Sequence, residues 1–150
     1  MKTMIELKIK LLDDGLPMPR YQHDGDAGLD LPSRVDLVIE PGERAMVPTG
    51  IAVAIPPGYA GFVLPRSGLA SRHGIALVNS PGLVDSGYRG EMSIVMINTD
   101  KREAFHIKRG DRIAQLVIQR VEEVLIIRVD ELDDTSRGAG GFGSTGNRER

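Results

Sequence analysis

Between Arg137 and Gly146 the chain sets one guanidinium, one aromatic ring and two adjacent hydroxyls, Ser144 and Thr145, among five glycines. Fixing that many glycines costs backbone entropy, so the segment is expected to stay mobile until a ligand orders it. The residue types name the ligand: Arg137 and exposed N–H groups such as that of Gly143 suit phosphate oxygens, and the face of Phe142 suits a nucleobase or sugar. Gly138 to Gly143 satisfies the G-x-G-x-x-G dinucleotide pattern, yet that pattern acts between a strand and a following helix, and no helix-forming run follows here. A P-loop fails too, because Ser144 stands where its lysine belongs. Taken alone, the segment is better read as a solubilising tail.

Four other stretches carry chemistry. Pro65-Arg66-Ser67-Gly68 puts a guanidinium, a hydroxyl and a glycine N–H at a helix start, a local anion site, with a capped helix and a solvated arginine as an equal reading. Asn79 to Glu91 reads as a hairpin in which Asp85 could activate a water and Tyr88 could wall one side of a pocket, although Asp, Ser and Gly are also what turns contain. Asp30 lies in the apolar run Ala27-Gly28-Leu29-Asp30-Leu31, where an unpaired carboxylate is costly, so it wants an arginine unless it faces solvent. Gln115 interrupts an apolar strand, and either meets a ligand or points outward. His23, His73 and His106 are dispersed without paired spacing, so no zinc site is expected.

The elements that must position these residues are short. Ile5 to Leu11, Glu91 to Asn98, Arg112 to Arg120 and Val124 to Val129 are β-branched or alternating and read as strands. Turn signals separate them at close spacing, as in Glu40-Pro41-Gly42-Glu43, Ile55-Pro56-Pro57-Gly58 and Lys108-Arg109-Gly110-Asp111. The pattern predicts an all-β sandwich or barrel with one short helix, capped by Ser67, running Leu69 to His73 and stopped by Gly74. Asp133-Asp134-Thr135-Ser136 closes the core, dividing the chain into a β domain over 1–134 and an arm over 135–150.

The 150 residues suit one domain, and a net charge of −2 argues against a partner held by a general basic field, nucleic acid or membrane surface alike. Phosphate must therefore be met locally. With no cysteine and no apolar run at the start resembling a signal peptide, a cytoplasmic location is expected, and no stretch approaches the ~20 apolar residues of a membrane span.

Taken in order, Ala27 to Leu31, Pro65 to Ala70, Gly82 to Gly90, Gly110 to Leu116 and Arg137 to Gly146 resemble the five motifs of the trimeric dUTP pyrophosphatases, and the match spans nearly the whole chain. The resemblance implies a β jelly-roll homotrimer with three sites at subunit interfaces, each closed by a C-terminal arm. It implies hydrolysis of dUTP to dUMP and pyrophosphate, which keeps uracil out of DNA and supplies dUMP for thymidylate synthesis. By the same resemblance, Asp85 deprotonates the water that attacks the α-phosphorus. Tyr88 packs on the deoxyribose, and Asn79 with the Gly82, Leu83 and Met92 region reads uracil and leaves no room for the methyl of thymine. Arg66, Ser67 and Gly68 hold the phosphate chain, Gln115 contacts the α-phosphate, and Asp30 orients a phosphate-binding arginine across the interface. Arg137, Gly143, Ser144 and Thr145 clamp the far phosphates while Phe142 stacks on the base. Ala139 departs from the family, which more often has a small hydroxyl residue there; the change is worth about one hydrogen bond, ~1 kcal/mol.

Magnesium is the implied cofactor. No clustered carboxylates are spare, so the ion is expected to be held through substrate oxygens and waters, with no protein ligand. Two rivals are weighed. A dCTP deaminase of similar fold needs a proton-shuttling glutamate on the strand after Asp85, where this chain has Val95 within Met92-Ser93-Ile94-Val95-Met96. A catalytically silent nucleotide sensor would need neither a positioned base nor so complete an arm.

Overall fold

A computed structural model describes residues 4–148; Met1 to Thr3, the first of the expected core, and Glu149 and Arg150, the last of the expected arm, lie outside it. Ten strands and one helix follow in chain order: β1 Lys8–Leu11, β2 Leu29–Pro32, β3 Leu37–Ile39, β4 Arg44–Ala54, β5 Tyr59–Leu64, α1 Ser67–His73, β6 Ile75–Leu77, β7 Gly82–Val84, β8 Glu91–Asn98, β9 Phe105–Ile107 and β10 Arg112–Arg120. One antiparallel sheet is ordered β1-β4-β8-β6, a second β2-β10-β5-β7, and a two-stranded piece pairs β3 with β9. The expected all-β jelly-roll-like sandwich is what forms, and β8 and β10 occupy the ranges read from the sequence as strands.

Alternation is why these segments are strands. Along β8, Met92, Ile94, Met96 and Asn98 are buried while their neighbours are not, the period-two signature of a strand with one face on a core. That face meets Leu29, Leu31, Val63, Val84 and Leu116 of the other sheet, and Ile51, Val53 and Ile55 continue the core. Asn98 is fully buried without penalty, because its side chain donates to the carbonyls of Ile39 (3.0 Å) and Glu103 (2.8 Å) and accepts from Asp100 N (3.0 Å).

Three expectations change. The segment from Asn79 to Glu91 is no hairpin: β7 pairs with β5 and β8 with β4 and β6, so residues 85–90 cross from one sheet to the other. Arg66, not Ser67, is the N-cap of α1, and no side chain caps it; Gly74 does end the helix, at φ 65°. Val124 to Val129 forms no strand. Its side chains lie 55–86% exposed at Val124, Leu125, Ile126, Ile127 and Val129, and among the described residues it pairs with no strand.

Candidate active site

The crossing between the sheets creates a cavity. Residues 85–90 step over the open end of the sandwich, and beneath them lies a space of about 220 Å³ lined by Asn79, Gly82, Leu83, Asp85, Tyr88, Met92 and Val95, among others. Its floor is core, since Met92 is 3% exposed and Val63, Leu77 and Ile94 complete it. The crossing is braced internally: Tyr88 N donates to the Asp85 carbonyl (3.1 Å) and the Arg89 guanidinium to the Tyr88 carbonyl (2.9 Å). The Tyr88 hydroxyl donates to the Glu91 carbonyl (3.0 Å), folding the ring back over Gly90. Gly90 is glycine for that reason, because a Cβ there would stand 2.5 Å from the Tyr88 oxygen. Asp85 is exposed at the mouth, and among the described residues nothing hydrogen-bonds its carboxylate, whereas the cavity's other carboxylate, Glu91, accepts from Arg34 and Gly50 N.

A second space, about 250 Å³, is walled by Asp30, Arg66, Ser67, Gly68 and Gln115, with Asp26, Ala27 and Gly28. Here Asp30 finds its arginine twice over, with Arg66 Nε and Arg112 Nη1 each 3.4 Å from its carboxylate oxygens. Both guanidinia come from the same chain as Asp30, whereas the family resemblance placed the partner across an interface. Arg66 also donates to the Arg112 carbonyl (2.9 Å), so its guanidinium is pre-set beside the exposed Ser67 and Gly68. Gln115 donates to the Pro65 carbonyl (3.0 Å), fixing the turn that delivers Arg66. Gly28 makes room for it, since a Cβ there would lie 2.6 Å from Gln115 Oε1. Fixed donors along an otherwise open groove can receive phosphate oxygens without reorganising.

The two spaces are neighbours through β5, whose Val63 pairs with Gly82 just before the chain turns into Pro65-Arg66. Neither contains residues of the other's chemistry, and the arm reaches neither: Arg137, Phe142, Gly143, Ser144 and Thr145 line no part of them. The arm folds on itself, with Arg137 Nε donating to the Gly140 carbonyl (2.8 Å) and Ser144 N to the Gly141 carbonyl (3.1 Å), and Phe142 stands fully exposed. Sequence reasoning missed Arg112, although a carboxylate in an apolar strand that already has one candidate cation was a signal to look for a second. It also passed over Glu91 as the mere end of a motif. Among the described residues no three His, Asp or Glu side chains gather as a metal cage, and Asp30, the carboxylate beside Arg66, is engaged by arginines.

A β sandwich with an apolar-floored cavity and, beside it, a polar groove holding the Arg66 guanidinium has the build of a domain that takes a small polar ligand. The dUTPase family model matches residues 14–146, and the chain belongs to that family. It is 60% identical over 142 residues to the deoxyuridine 5'-triphosphate nucleotidohydrolase of Thermobifida fusca (strain YX), covering 95% of this chain and 79% of that one. It is 59% identical over 129 residues to the same-named protein of Cutibacterium acnes (strain DSM 16379 / KPA171202), covering 86% of this chain and 85% of that one. Among solved structures, a variant of the Staphylococcus bacteriophage 80alpha dUTPase with dUpNHpp superposes with a TM-score of 0.89 at 32% identity, over 96% of this chain and 100% of that one. A dUTPase variant from phage phi11 of S. aureus, described with a structural Mg(II) ion, superposes with a TM-score of 0.78 at 30% identity, over 85% and 98%.

Proposed function

We propose that the chain hydrolyses dUTP to dUMP and pyrophosphate. The observation that carries the reading is the convergence of Asp85, Tyr88 and Asn79 on one core-floored cavity, beside a groove that presents Arg66, Ser67 and Gly68. Uracil enters above Met92, where Asn79 and the backbone of Gly82 and Leu83 meet its edge. A 5-methyl group is excluded by shape, which a well-packed apolar floor does better than polarity would. Tyr88 packs against the deoxyribose. Asp85 takes a proton from a water, whose oxygen bonds to the α-phosphorus as the bond to the bridging oxygen breaks, and pyrophosphate leaves carrying the electron pair. Arg66, Ser67, Gly68 and Gln115 hold the phosphates in line; phosphoryl transfer asks mainly for such alignment and charge neutralisation. Magnesium would be held through triphosphate oxygens and waters and would neutralise their charge, since of the groove's carboxylates Asp30 is committed to two arginines and Asp26 accepts from His23 N.

The site is completed between copies of the chain, in a homotrimer. Support comes from an arm that folds on itself without reaching either space, and from the apolar run Val124 to Ile127 left bare, with Val129 and Leu132 exposed beyond it. Such a run pairs along a neighbour's sheet edge and carries the arm to a neighbour's site, where Arg137, Ser144 and Thr145 meet the far phosphates and Phe142 the base. The unit of core over 1–134 and arm over 135–150 works in the cytoplasm, without nucleic acid or membrane. Deamination of dCTP is disfavoured, because Val95 lines the cavity where the shuttling acid would stand and the nearby Glu91 carboxylate is bound to Arg34 and Gly50 N.

One assay tests the reaction: purified protein with magnesium is given dUTP or dCTP, and pyrophosphate and ammonia are followed together. Pyrophosphate from dUTP without ammonia from either nucleotide is expected. Ammonia from dCTP overturns the reading, and binding without either product leaves a sensor. Light scattering tests the trimer, and a monomeric, fully active protein overturns it.

A further inference from the structure

Opposite the start of β8, strand β4 is irregular. Its pairing jumps from Pro48↔Ser93 to Ala52↔Glu91, so Thr49, Gly50 and Ile51 face the single residue Met92. Such a bulge leaves main-chain groups without ladder partners, and each must be met otherwise. The Thr49 hydroxyl donates to the Met92 carbonyl (2.7 Å) and accepts from Ile51 N (3.3 Å), while the Gly50 carbonyl accepts from Leu12 N (2.7 Å). Gly50 N remains, and Glu91 Oε1 accepts it at 2.9 Å. The same oxygen accepts from Arg34 Nη1 at 3.0 Å, and Arg34 is tethered in turn by the Leu12 carbonyl (3.2 Å) and Asp13 (3.5 Å). Gly50 sits at φ 72°, so the bulge geometry that aims this N–H at Glu91 is one a side chain would strain.

The main-chain carbonyl of Glu91 is the acceptor of the Tyr88 hydroxyl. One residue thus ties the substrate-facing ring, by its backbone, to the most irregular part of the facing strand, by its side chain. We infer that Glu91 is a positioning residue for sugar discrimination: its carboxylate locks the start of β8 onto the β4 bulge, and the locked carbonyl holds Tyr88 where a 2′-hydroxyl cannot fit. This deepens the reading of Tyr88 as the deoxyribose wall and rests on it. Released from the bulge, the start of β8 shifts, the Tyr88 hydroxyl loses a fixed acceptor, and the ring swings away from Gly90.

The test compares dUTP with UTP as substrates of the full-length protein, measuring kcat and KM for both. Glu91→Ala is expected to raise KM for dUTP and to narrow the dUTP-over-UTP ratio of kcat/KM about tenfold, with kcat changed less. Glu91→Gln, which still accepts from Gly50 N, recovers most of the ratio and supplies the measurement if Glu91→Ala does not fold. Tyr88→Phe, which removes the donor, narrows the ratio by a similar factor, and adding Glu91→Ala to it narrows the ratio no further. A scaffold residue would lower thermal stability and both activities together; an unchanged ratio in the Glu91 variants, or full additivity with Tyr88→Phe, overturns the proposal. A wild-type protein that hydrolyses UTP as readily as dUTP overturns the Tyr88 reading itself, which a selective wild type with unaffected variants does not.

Discussion

The cavity under the β7–β8 crossing and the C-terminal arm are both glycine-rich, and they use glycine for opposite ends. At the cavity, Gly82 and Gly90 are small because something occupies the space a Cβ would need: Val63 Cβ at 3.3 Å for the first, the Tyr88 ring for the second. In the arm, a Cβ at Gly138, Gly141 or Gly143 meets nothing within 4 Å. One region is already built, floored by Met92, Ile94 and Val63; the other makes only short-range bonds to itself and holds Phe142 in solvent. The lesson is a division of labour in which recognition of base and sugar is pre-organised by the core, while closure over the phosphates is left to a segment whose order the ligand must supply.

The comparison breaks first at Asp85. If the built region holds the chemistry, Asp85→Asn should leave nucleotide binding nearly intact by calorimetry and lower kcat by about 10²–10⁴, the usual worth of a general base. Near-normal turnover would move the base elsewhere. Next comes the arm: a chain stopped after Ser136 should melt at the wild-type temperature, because none of the arm's side chains joins the core, yet lose about 10²–10³ in kcat/KM with its phosphate donors. A large fall in melting temperature without ligand would mean that the arm is structural.

The two glycine roles can be separated in stability alone. A Cβ on Gly61 would stand 2.9 Å from both Ile55 Cδ1 and Leu116 Cδ1, between the two sheets. Gly61→Ala should therefore cost about 1–3 kcal/mol by overpacking, a fall of roughly 3–10 °C in melting temperature for a domain of this size. Gly141→Ala should leave the ligand-free melting temperature unchanged. Equal effects would erase the distinction between space and freedom.

How far the sequence carried this picture follows the same divide. Alternation exposed β8 because it has one face on the core, a β-branched apolar run exposed β10, and the resemblance gathered Asp85, Tyr88 and Asn79 around what proves to be one cavity. Pairing partners were not legible. Gly82 to Val84 is three residues long, and nothing local says that it joins β5 instead of returning along β8. Nor does a local pattern reveal that Arg112 reaches Asp30, since 82 positions separate them, or that Glu91 answers a bulge in β4. Val124 to Val129 reads as a strand on propensity and stays unpaired because propensity supplies no partner.

The smallest expected effect concerns the network behind the cavity. Asp13 accepts hydrogen bonds from the Arg109 guanidinium, with Arg109 Nη2 at 2.7 Å, and from Gly15 N at 3.1 Å, and it lies 3.5 Å from Arg34, the cation that holds Glu91. The hydrogen bond from Arg109, ahead of the opposing desolvation, holds the Asp13 carboxyl down at about 2 from its ordinary 3.8. A carboxylate lowered in the folded state stabilises above its unfolded value and gives that contribution up as pH falls through the folded one. Asp13→Asn should thus melt below the wild type at neutral pH, by a modest margin because the pair is partly exposed to screening solvent. The gap should hold down to about pH 4 and close towards pH 2, where the wild-type carboxylate takes its proton. Thermal melts of both proteins across that range decide it. A gap that stayed constant to pH 2 would mean that Asp13 supports the cavity by shape alone, and a gap in arm-dependent turnover without one in melting would tie the network to closure instead of to the built half of the site.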